Sequence, residues 1–279
     1  MANTIQLPED AFDAHLTACA TQGADSFVAS VRPIYGGRVR DQRPEHVGSC
    51  ILLDVDGRRI LATAAHIADQ SAQRGALFVG GPPGTSPVPL RAQMLATTAP
   101  GGNRNVDHYD VAFCELPESA LPEMGKVNFV SADRLSHNRA ITSGRRYTAI
   151  GYPISRNKDS INHAAHTIVN RRSIYTAGVE DMPQLASALG VTGEDHLFLR
   201  FGKHFFDMEG QPMNSFGPKG LSGGALLDIG DFRSAAILTR APGASAMLSG
   251  MLIEHNKRHR AMVAVKIGPV VAAIRNALR

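Results

Sequence analysis

The sequence predicts an all-β protein made of two consecutive six-stranded antiparallel β-barrels, with an N-terminal helical extension and a C-terminal helix. From Phe27 onward, short runs rich in β-branched and aromatic residues alternate with Gly, Pro, Asn and Asp, a pattern typical of many short strands joined by turns. Helical periodicity is strongest near the two ends. We expect three regions: an extension over 1–26, a first barrel over 27–130 and a second barrel over 131–279.

The extension is predicted to form a short helix over residues 8–20. A proline and two acidic residues stand at its start, where they suit the positive end of a helix. Phe12, Leu16 and Cys19 share one face of this helix. That face is expected to pack on the protein body.

The first barrel is predicted from six strand-like runs: SFVASVRP, GSCILLDV, RRILATA, ALFVGG, VPLRAQML and YDVAFCEL. Asp56-Gly57 separates the second run from the third and is typical of a hairpin turn in which both central residues have positive φ. Such a hairpin would place His66 just past its second strand.

The second barrel is predicted to begin at RRYTAIGYP, after a crossover region near residues 117–139. Its other strand candidates are HTIVNRRSIYTAGV, HLFLRF, GGALLDI, FRSAAILTR, MLSGMLIEH and AMVAVKI. After Gly268-Pro269 the sequence VVAAIRNALR predicts a terminal helix, because its apolar residues fall on one helical face. These are Val270, Val271, Ile274 and Leu278.

Composition is that of a globular protein, with 43% hydrophobic and 19% charged residues. No apolar run approaches the roughly 20 residues that span a bilayer, and the start lacks the pattern of a secretion signal, so we expect no membrane association. The charge of +4 includes basic clusters at Asn170-Arg171-Arg172 and Lys257-Arg258-His259-Arg260. These could meet nucleic acid, but solvated loops are the preferred interpretation, and no nucleic-acid partner is expected.

Three cysteines, Cys19, Cys50 and Cys114, have neither metal-ligand spacing nor the density of a disulfide scaffold. We expect them to be reduced and structural.

Three segments carry candidate chemistry. His66 lies in LATAAHIAD, Asp110 opens the strand in DHYDVAFCEL, and Ser222 lies in the glycine-framed turn GLSGG. A hydroxyl near neutral pH is a poor nucleophile unless a base removes its proton, and a carboxylate that orients the base completes such a site. These three residues can supply the three roles, in the chain order histidine, aspartate, serine.

TAAH, DVA and GxSGG, in this order, resemble the trypsin-like (chymotrypsin-fold) serine peptidases, of the intracellular bacterial type. The resemblance runs from about Phe27 to the C-terminus and includes GSCILL and IGYP. It implies that Ser222 is the nucleophile, His66 the general base and then general acid, and Asp110 the orienting carboxylate. It also implies an oxyanion hole formed by the backbone N–H groups of Gly220 and Ser222.

Asp107, three residues before Asp110, competes for the carboxylate role. Asp110 is preferred because an apolar Val-Ala-Phe run follows it, as in the family's strand.

Two departures from the family concern activation and disulfides. The position before the nucleophile holds Leu221 instead of the acid that pairs with a new N-terminus in secreted zymogens. The site is therefore expected to be competent as synthesised or to be ordered by a partner. Ile67 stands where secreted animal relatives usually carry a half-cystine, which favours a cytoplasmic protein.

By the resemblance, Ile253, Glu254 and His255 belong to the strand that borders the primary substrate pocket, and Phe216 lies near the pocket base. An aromatic base would favour a shallow or apolar pocket, whereas Glu254 could attract a basic side chain. Ordinary wall packing is the alternative for these residues, so no preferred substrate residue is predicted.

The leading hypothesis is a serine protease, an endopeptidase hydrolase that cleaves specific protein targets through an acyl-enzyme, with an activating or restricting protein partner. A bacterial stress or phage-defence module is one setting for it. The alternative is a catalytically silent trypsin-like scaffold or binding module.

No cofactor or metal is predicted. His163, His166, His255 and His259 lack accompanying cysteines or acids at zinc-site spacing.

Overall fold

The structure is a computed structural model that describes residues 9–37, 44–82, 84–98, 100–136, 141–158, 161–162, 167–202, 204–206, 212–214 and 217–279. The α-helices among these residues in the first half of the chain are α1 (Glu9–Ser26), α2 (Ala65–Ala68), α3 (Gln70–Arg74) and α4 (Leu121–Met124). Short 3₁₀ helices cover Pro100–Gly102, Arg104–Val106, Glu118–Ala120, Ala132–Arg134 and Ile154–Arg156.

Seven strands of the first half form one antiparallel sheet. They are β1 (Val31–Gly37), β2 (Glu45–Val55), β3 (Arg58–Ala64), β4 (Ala76–Val79), β5 (Val88–Pro89), β6 (Leu95–Ala96) and β7 (Val111–Glu115). Their order across the sheet is β5-β4-β1-β2-β3-β7-β6.

The second half contributes a six-stranded antiparallel sheet and two small hairpins. Its strands are β8 (Arg145–Gly151), β9 (Ile161–Asn162), β10 (Thr167–Ile168), β11 (Ser173–Ala177), β12 (His196–Arg200), β13 (His204–Phe206), β14 (Pro212–Asn214), β15 (Ala225–Asp231), β16 (Met247–Asn256) and β17 (Ala261–Lys266). The main sheet has the order β11-β8-β15-β16-β17-β12, and β9–β10 and β13–β14 form the hairpins. The helices of this half are α5 (Pro183–Leu189), α6 (Ala235–Leu238) and α7 (Ile267–Ala277).

Two curled antiparallel sheets that follow one another along the chain, with a helix before and a helix after, confirm the predicted chymotrypsin-like fold class. The largest cluster of buried apolar side chains draws on both sheets and on both terminal helices. The two sheets therefore pack against each other through one shared apolar core. The first sheet has seven strands instead of six, because the run VPLRAQML forms two separate two-residue strands, β5 and β6.

The N-terminal helix is longer than predicted, since it continues to Ser26 instead of ending near residue 20. Ala20 and Ala24 are buried, and an added Cβ at Gly23 would lie 3.1 Å from the Cβ of Ala246. Phe12 meets Phe232 edge to face at 5.9 Å between ring centroids. Small residues thus let the last turns of α1 lie close against the second sheet. This packing stabilises the part of α1 beyond residue 20, which the sequence pattern alone did not predict.

One predicted strand is wrong. FRSAAILTR contains the short helix α6, and within it Ile237 is buried. Isoleucine and phenylalanine in this run suggested a strand, but tertiary packing decided the conformation of such a short apolar segment.

The predicted hairpin and terminal helix are confirmed. Asp56 and Gly57 both have positive φ, 54° and 82°, at the turn between β2 and β3. In α7 the residues Ile267, Val270, Val271 and Ile274 are buried. No helix in the described parts of the chain combines the length and the apolar character that crossing a membrane requires.

Candidate active site

Strand pairing brings His66 and Asp110 together. In the antiparallel register of β3 and β7, Ala64 lies opposite Val111. His66 comes two residues after Ala64, and Asp110 comes one residue before Val111, so both leave the sheet at the same edge. The backbone N–H of Ala65 donates to the carbonyl oxygen of Asp110 at 2.8 Å and closes this junction.

Both carboxylate oxygens of Asp110 bind His66. The ring Nδ1 donates to Oδ2 at 2.6 Å, and the His66 backbone N–H donates to Oδ1 at 2.9 Å. The Asp110 side chain is 12% exposed, and that of His66 is 38% exposed. A proton on Nδ1 leaves Nε2 as the lone-pair nitrogen, which is the arrangement that a general base requires.

Asp107, the alternative carboxylate, is engaged elsewhere. It accepts hydrogen bonds from the Arg104 guanidinium and the Thr97 hydroxyl. The structure thus places Asp110 and not Asp107 against His66.

The second sheet holds the loop that carries Asp110. Asp110 has a positive φ of 48°, in the left-handed region that few residues other than glycine adopt, aspartate being among the commoner exceptions. Buried His196 contacts the carbonyl oxygen of His108 through Nε2 at 2.7 Å, and the Tyr109 hydroxyl donates to Asp195 at 2.7 Å. These contacts fix the residues just before Asp110. Sequence reasoning did not find them, because they join residues more than eighty positions apart.

The glycines of GLSGG are required by close backbone approaches. Gly220 and Gly223 have φ of 97° and 82°. A Cβ at Gly220 would lie 2.8 Å from the Tyr152 carbonyl oxygen, and one at Gly223 or Gly224 would collide with the backbone oxygens of Ser49 or Ile150. Because only glycine fits at these positions, the loop is a specific tight structure and not a generic turn.

Leu221 anchors this loop through burial. It is 3% exposed and packs within an apolar cluster of the second sheet that includes Leu226 and Leu252. The expected departure at this position, an apolar side chain in place of an acid, is thus accommodated by burial.

Ser49 links the first sheet to the GLSGG loop, and sequence reasoning missed it. This residue of β2 is fully buried; its hydroxyl donates to the Gly220 carbonyl oxygen at 2.8 Å and accepts from the Tyr152 N–H at 3.0 Å. Its backbone N–H donates to the Ser222 carbonyl oxygen at 2.8 Å. Its own carbonyl oxygen accepts from the Thr63 hydroxyl at 2.7 Å. The sequence offered one signal for this role: a serine inside a predicted apolar strand that precedes TAAH.

Two backbone N–H groups of the loop are unused. Among the described residues, neither Gly220 nor Ser222 donates its amide proton to another protein group. The carbonyl oxygen of Lys219 accepts from the Ile154 N–H at 2.8 Å, so the N–H of the same trans peptide, that of Gly220, points the opposite way. Both residues line the cleft described next.

A cleft of about 1240 Å³ lies at the junction of the sheets and is lined by His66, Asp110 and Ser222 together. The Ser222 hydroxyl donates to the Ile253 carbonyl oxygen at 3.3 Å, and in this conformation no hydrogen bond between Ser222 and His66 occurs within the described structure. The three predicted residues therefore share one site, with the serine hydroxyl turned toward β16.

Three of the four predicted pocket residues, Ile253, Glu254 and His255, also line the cleft. Phe216 lies outside the described residues. Partial burial raises the pKa of Glu254, and the negative charge of Asp110 adds to this effect. Burial lowers the pKa of His255.

Within the described residues, no three histidine, cysteine or acidic side chains are grouped as a metal site would require. His163 and His166 are not among the described residues.

No protein-family model matches this chain. No curated protein sequence matches it either. Among solved structures it is similar to the Rv3671c protease of M. tuberculosis in its active form, with 15% identity, 91% of this chain and 84% of that chain covered, and a TM-score of 0.48. An inactive serine-to-alanine mutant of Rv3671c has 13% identity, coverage of 98% and 95%, and a TM-score of 0.46.

Likeness at this level concerns the fold alone. What the chain's own geometry gives plainly is the chymotrypsin-like fold, with His66 and Asp110 from the first sheet and Ser222 from the second on one cleft.

Proposed function

We propose that this protein is a serine endopeptidase that cleaves peptide bonds of specific protein targets through Ser222, His66 and Asp110. The observation that carries the proposal is the paired hydrogen bonding of Asp110 to His66, which leaves Nε2 as an acceptor in the same cleft as the Ser222 hydroxyl. An oriented base that shares a cleft with a hydroxyl on a tight glycine loop suits acyl transfer.

In this reaction the Ser222 hydroxyl first rotates from the Ile253 carbonyl oxygen toward His66 Nε2. The hydrogen bond that it leaves is long, at 3.3 Å, so breaking it costs little free energy. His66 takes the hydroxyl proton while the oxygen attacks the substrate carbonyl carbon. The tetrahedral oxyanion then accepts hydrogen bonds from the N–H groups of Gly220 and Ser222, and each such donor lowers a barrier by roughly 3–4 kcal/mol.

Collapse of the intermediate breaks the C–N bond, and His66 gives its proton to the leaving amine. A water molecule then attacks the ester on Ser222, with His66 again as base, and releases the acid and the free hydroxyl. Asp110 stays ionised throughout and stabilises the imidazolium that forms twice in the cycle.

The second candidate is a catalytically silent scaffold with the same fold. It is favoured by one observation, the bonding of the Ser222 hydroxyl to Ile253 and not to His66. Activation by a protein partner, which would turn this hydroxyl, connects the two candidates and stays a prediction. A role in a bacterial stress or defence module is a further prediction.

We also propose a cytoplasmic location. Cys19, Cys50 and Cys114 are all free and buried. Burial raises the pKa of the Cys114 thiol to about 12 and raises that of Cys50 further. Unreactive, unpaired cysteines fit a reducing compartment.

The test compares the new protein N-termini produced in host cells by the wild-type protein and by Ser222→Ala. A peptidase is expected to generate a small, reproducible set of new N-termini that the variant does not generate. Identical sets from both proteins, also after cell lysate is added to the purified proteins, would favour the scaffold.

A further inference from the structure

Among the described residues, three positive charges of the cleft have no ion-pair partner. Lys158, Lys219 and Lys257 line it, and all three are exposed. None of these three, named the cleft lysines below, forms an ion pair with another described residue. The other two cationic side chains of the lining differ, since Arg74 pairs with Glu45 and Arg104 with Asp69 and Asp107.

The cleft lysines flank the Ser222 loop. Lys219 directly precedes Gly220, and its carbonyl oxygen is held by the Ile154 N–H. The Ser155 hydroxyl also donates to the Gly217 carbonyl oxygen at 3.2 Å. The segments that carry Lys158 and Lys219 are therefore joined into one rim beside the nucleophile.

Lys257 approaches the same cleft from another element. It directly follows β16, whose Ile253 carbonyl oxygen contacts the Ser222 hydroxyl. Positive charge thus stands on two separate segments around the position of the reacting bond.

The acidic residues of the lining do not neutralise these lysines. Glu45, Asp107 and Asp110 are engaged by Arg74, Arg104 and His66. Glu254 remains. It directly follows Ile253, whose carbonyl oxygen contacts the Ser222 hydroxyl, so it shares the cleft with the three lysines. Among the described lining residues, three lysines and one carboxylate are consequently without an ion-pair partner, which leaves a surplus of positive charge.

Peptide suits this surface better than nucleic acid. Proteins that hold single strands combine basic grooves with aromatic side chains on which bases stack. No Phe, Tyr or Trp lines the cleft in the part of the chain that the structure describes.

We propose that the cleft selects protein segments with acidic side chains on both sides of the cleaved bond, held by Lys158, Lys219 and Lys257. This inference rests on the proposed function, because it assigns the substrate class of the same site. Exposed charge pairs are individually weak and are screened by salt, so the three together are expected to favour an acidic segment by about tenfold at low salt.

The test measures binding and not turnover, with Ser222→Ala protein and two fluorescent peptides of about ten residues. One peptide carries glutamates around a central small residue, and the other carries glutamines at the same positions. Fluorescence anisotropy is expected to give a Kd about tenfold lower for the glutamate peptide at about 50 mM salt. This advantage should shrink to less than about threefold at about 300 mM salt, where the Debye length is shorter.

Charge-matched variants locate the effect. In the Ser222→Ala background, the triple change Lys158→Gln, Lys219→Gln, Lys257→Gln should remove the preference. Arg91→Gln, Lys126→Gln, Arg233→Gln removes the same charge at exposed positions outside the cleft lining and should retain it. Melting curves of both triple variants report that they are folded.

Three results would overturn the proposal: equal affinity for the two peptides, equal loss in both triple variants, or tighter binding of a single-stranded oligonucleotide of matched charge. Failure of the proposed function is visible separately, as a wild-type protein whose Ser222 does not react with a small uncharged fluorophosphonate.

Discussion

At the scale of single residues, the two aspartates near His66 give the sharpest comparison. Asp110 binds the imidazole through both oxygens, whereas Asp107 binds Arg104 and Thr97. Asp110→Asn is expected to lower the rate at which a fluorophosphonate modifies Ser222 by about a thousand- to ten-thousandfold, because an amide no longer fixes the Nδ1–H tautomer. The rate is measured with a fluorophosphonate probe.

Asp107→Asn is the matched control and should change that rate by less than about tenfold, because it removes charge from the same loop without touching the imidazole. A larger loss in Asp107→Asn than in Asp110→Asn would contradict the assignment.

Ser49 is predicted to position the GLSGG loop. Ser49→Ala removes the hydroxyl that holds the Gly220 carbonyl oxygen, and small displacements at a reacting centre have large effects on rate. We expect the fluorophosphonate to modify Ser222 about ten- to a hundredfold more slowly in this variant. The free energy of unfolding should fall by about 1–3 kcal/mol.

Thr63→Val removes a hydrogen bond to the carbonyl oxygen of the same Ser49 and leaves the Gly220 contact in place. This variant should be destabilised to a similar degree, but its Ser222 should react with the fluorophosphonate at a rate near that of wild type. Equal slowing in both variants would show that Ser49 acts only through stability.

His46 predicts a pH dependence of stability. Burial lowers its pKa to about 4, while its Nε2 contacts the Gly48 carbonyl oxygen and its Nδ1 has no hydrogen-bond partner among the described residues. Since the unfolded chain binds this proton more tightly, the stability that neutral His46 preserves above about pH 6.5 is lost as pH falls toward 4.

Between about pH 7 and pH 4.5 this residue should account for a loss on the order of 2–3 kcal/mol. Urea unfolding at both pH values is expected to give a smaller loss for His46→Gln. An unchanged pH dependence in that variant would remove His46 as its source.

At the scale of elements, the glycine loop offers a prediction with a built-in control. Gly57 and Gly223 have the same φ of 82°, but a Cβ at Gly57 meets nothing within 4 Å, while one at Gly223 collides with the Ser49 carbonyl group. Gly57→Ala should therefore cost only the backbone strain of about 1–2 kcal/mol.

Gly223→Ala must also displace backbone and should cost more than about 4 kcal/mol or prevent folding. Chemical denaturation of both variants measures the difference. Similar losses of unfolding free energy in the two variants would mean that the loop can relax around a Cβ. Gly223 would then be required only for its positive φ.

Elements also show where sequence reasoning succeeds and fails. TAAH, DVA and GLSGG were recognisable because each couples local backbone demands to a functional side chain within a few residues. The Asp56-Gly57 turn was likewise a local signal. Ser49 and His196 were not recognisable, since their partners Gly220 and His108 lie far away in sequence and only the fold brings them together.

The errors in secondary structure have the same origin. FRSAAILTR has residues typical of a strand, yet it folds as α6, and α1 extends to Ser26 through packing of Ala24 and Gly23 on the second sheet. Short apolar runs are decided by tertiary contacts that a one-dimensional pattern does not contain.

At the scale of the whole molecule, the two sheets depend on each other. Ser49 of the first sheet holds the Gly220 loop of the second, and His196 of the second holds the Asp110 loop of the first. Burial of Leu221 adds an apolar anchor to the GLSGG loop. The candidate site is thus an outcome of docking between sheets and should be lost as a unit when that docking fails.

We propose that His66 and Asp110 activate Ser222 for attack on a carbonyl or its analogue. The most direct measurement is intact mass spectrometry after exposure to a fluorophosphonate, followed by peptide mapping of the adduct. One adduct on Ser222 in the wild-type protein, strongly reduced in His66→Ala and absent in Ser222→Ala, is the predicted result. A wild-type protein that remains unmodified with and without cell lysate, or an adduct formed equally fast in His66→Ala, would contradict the claim.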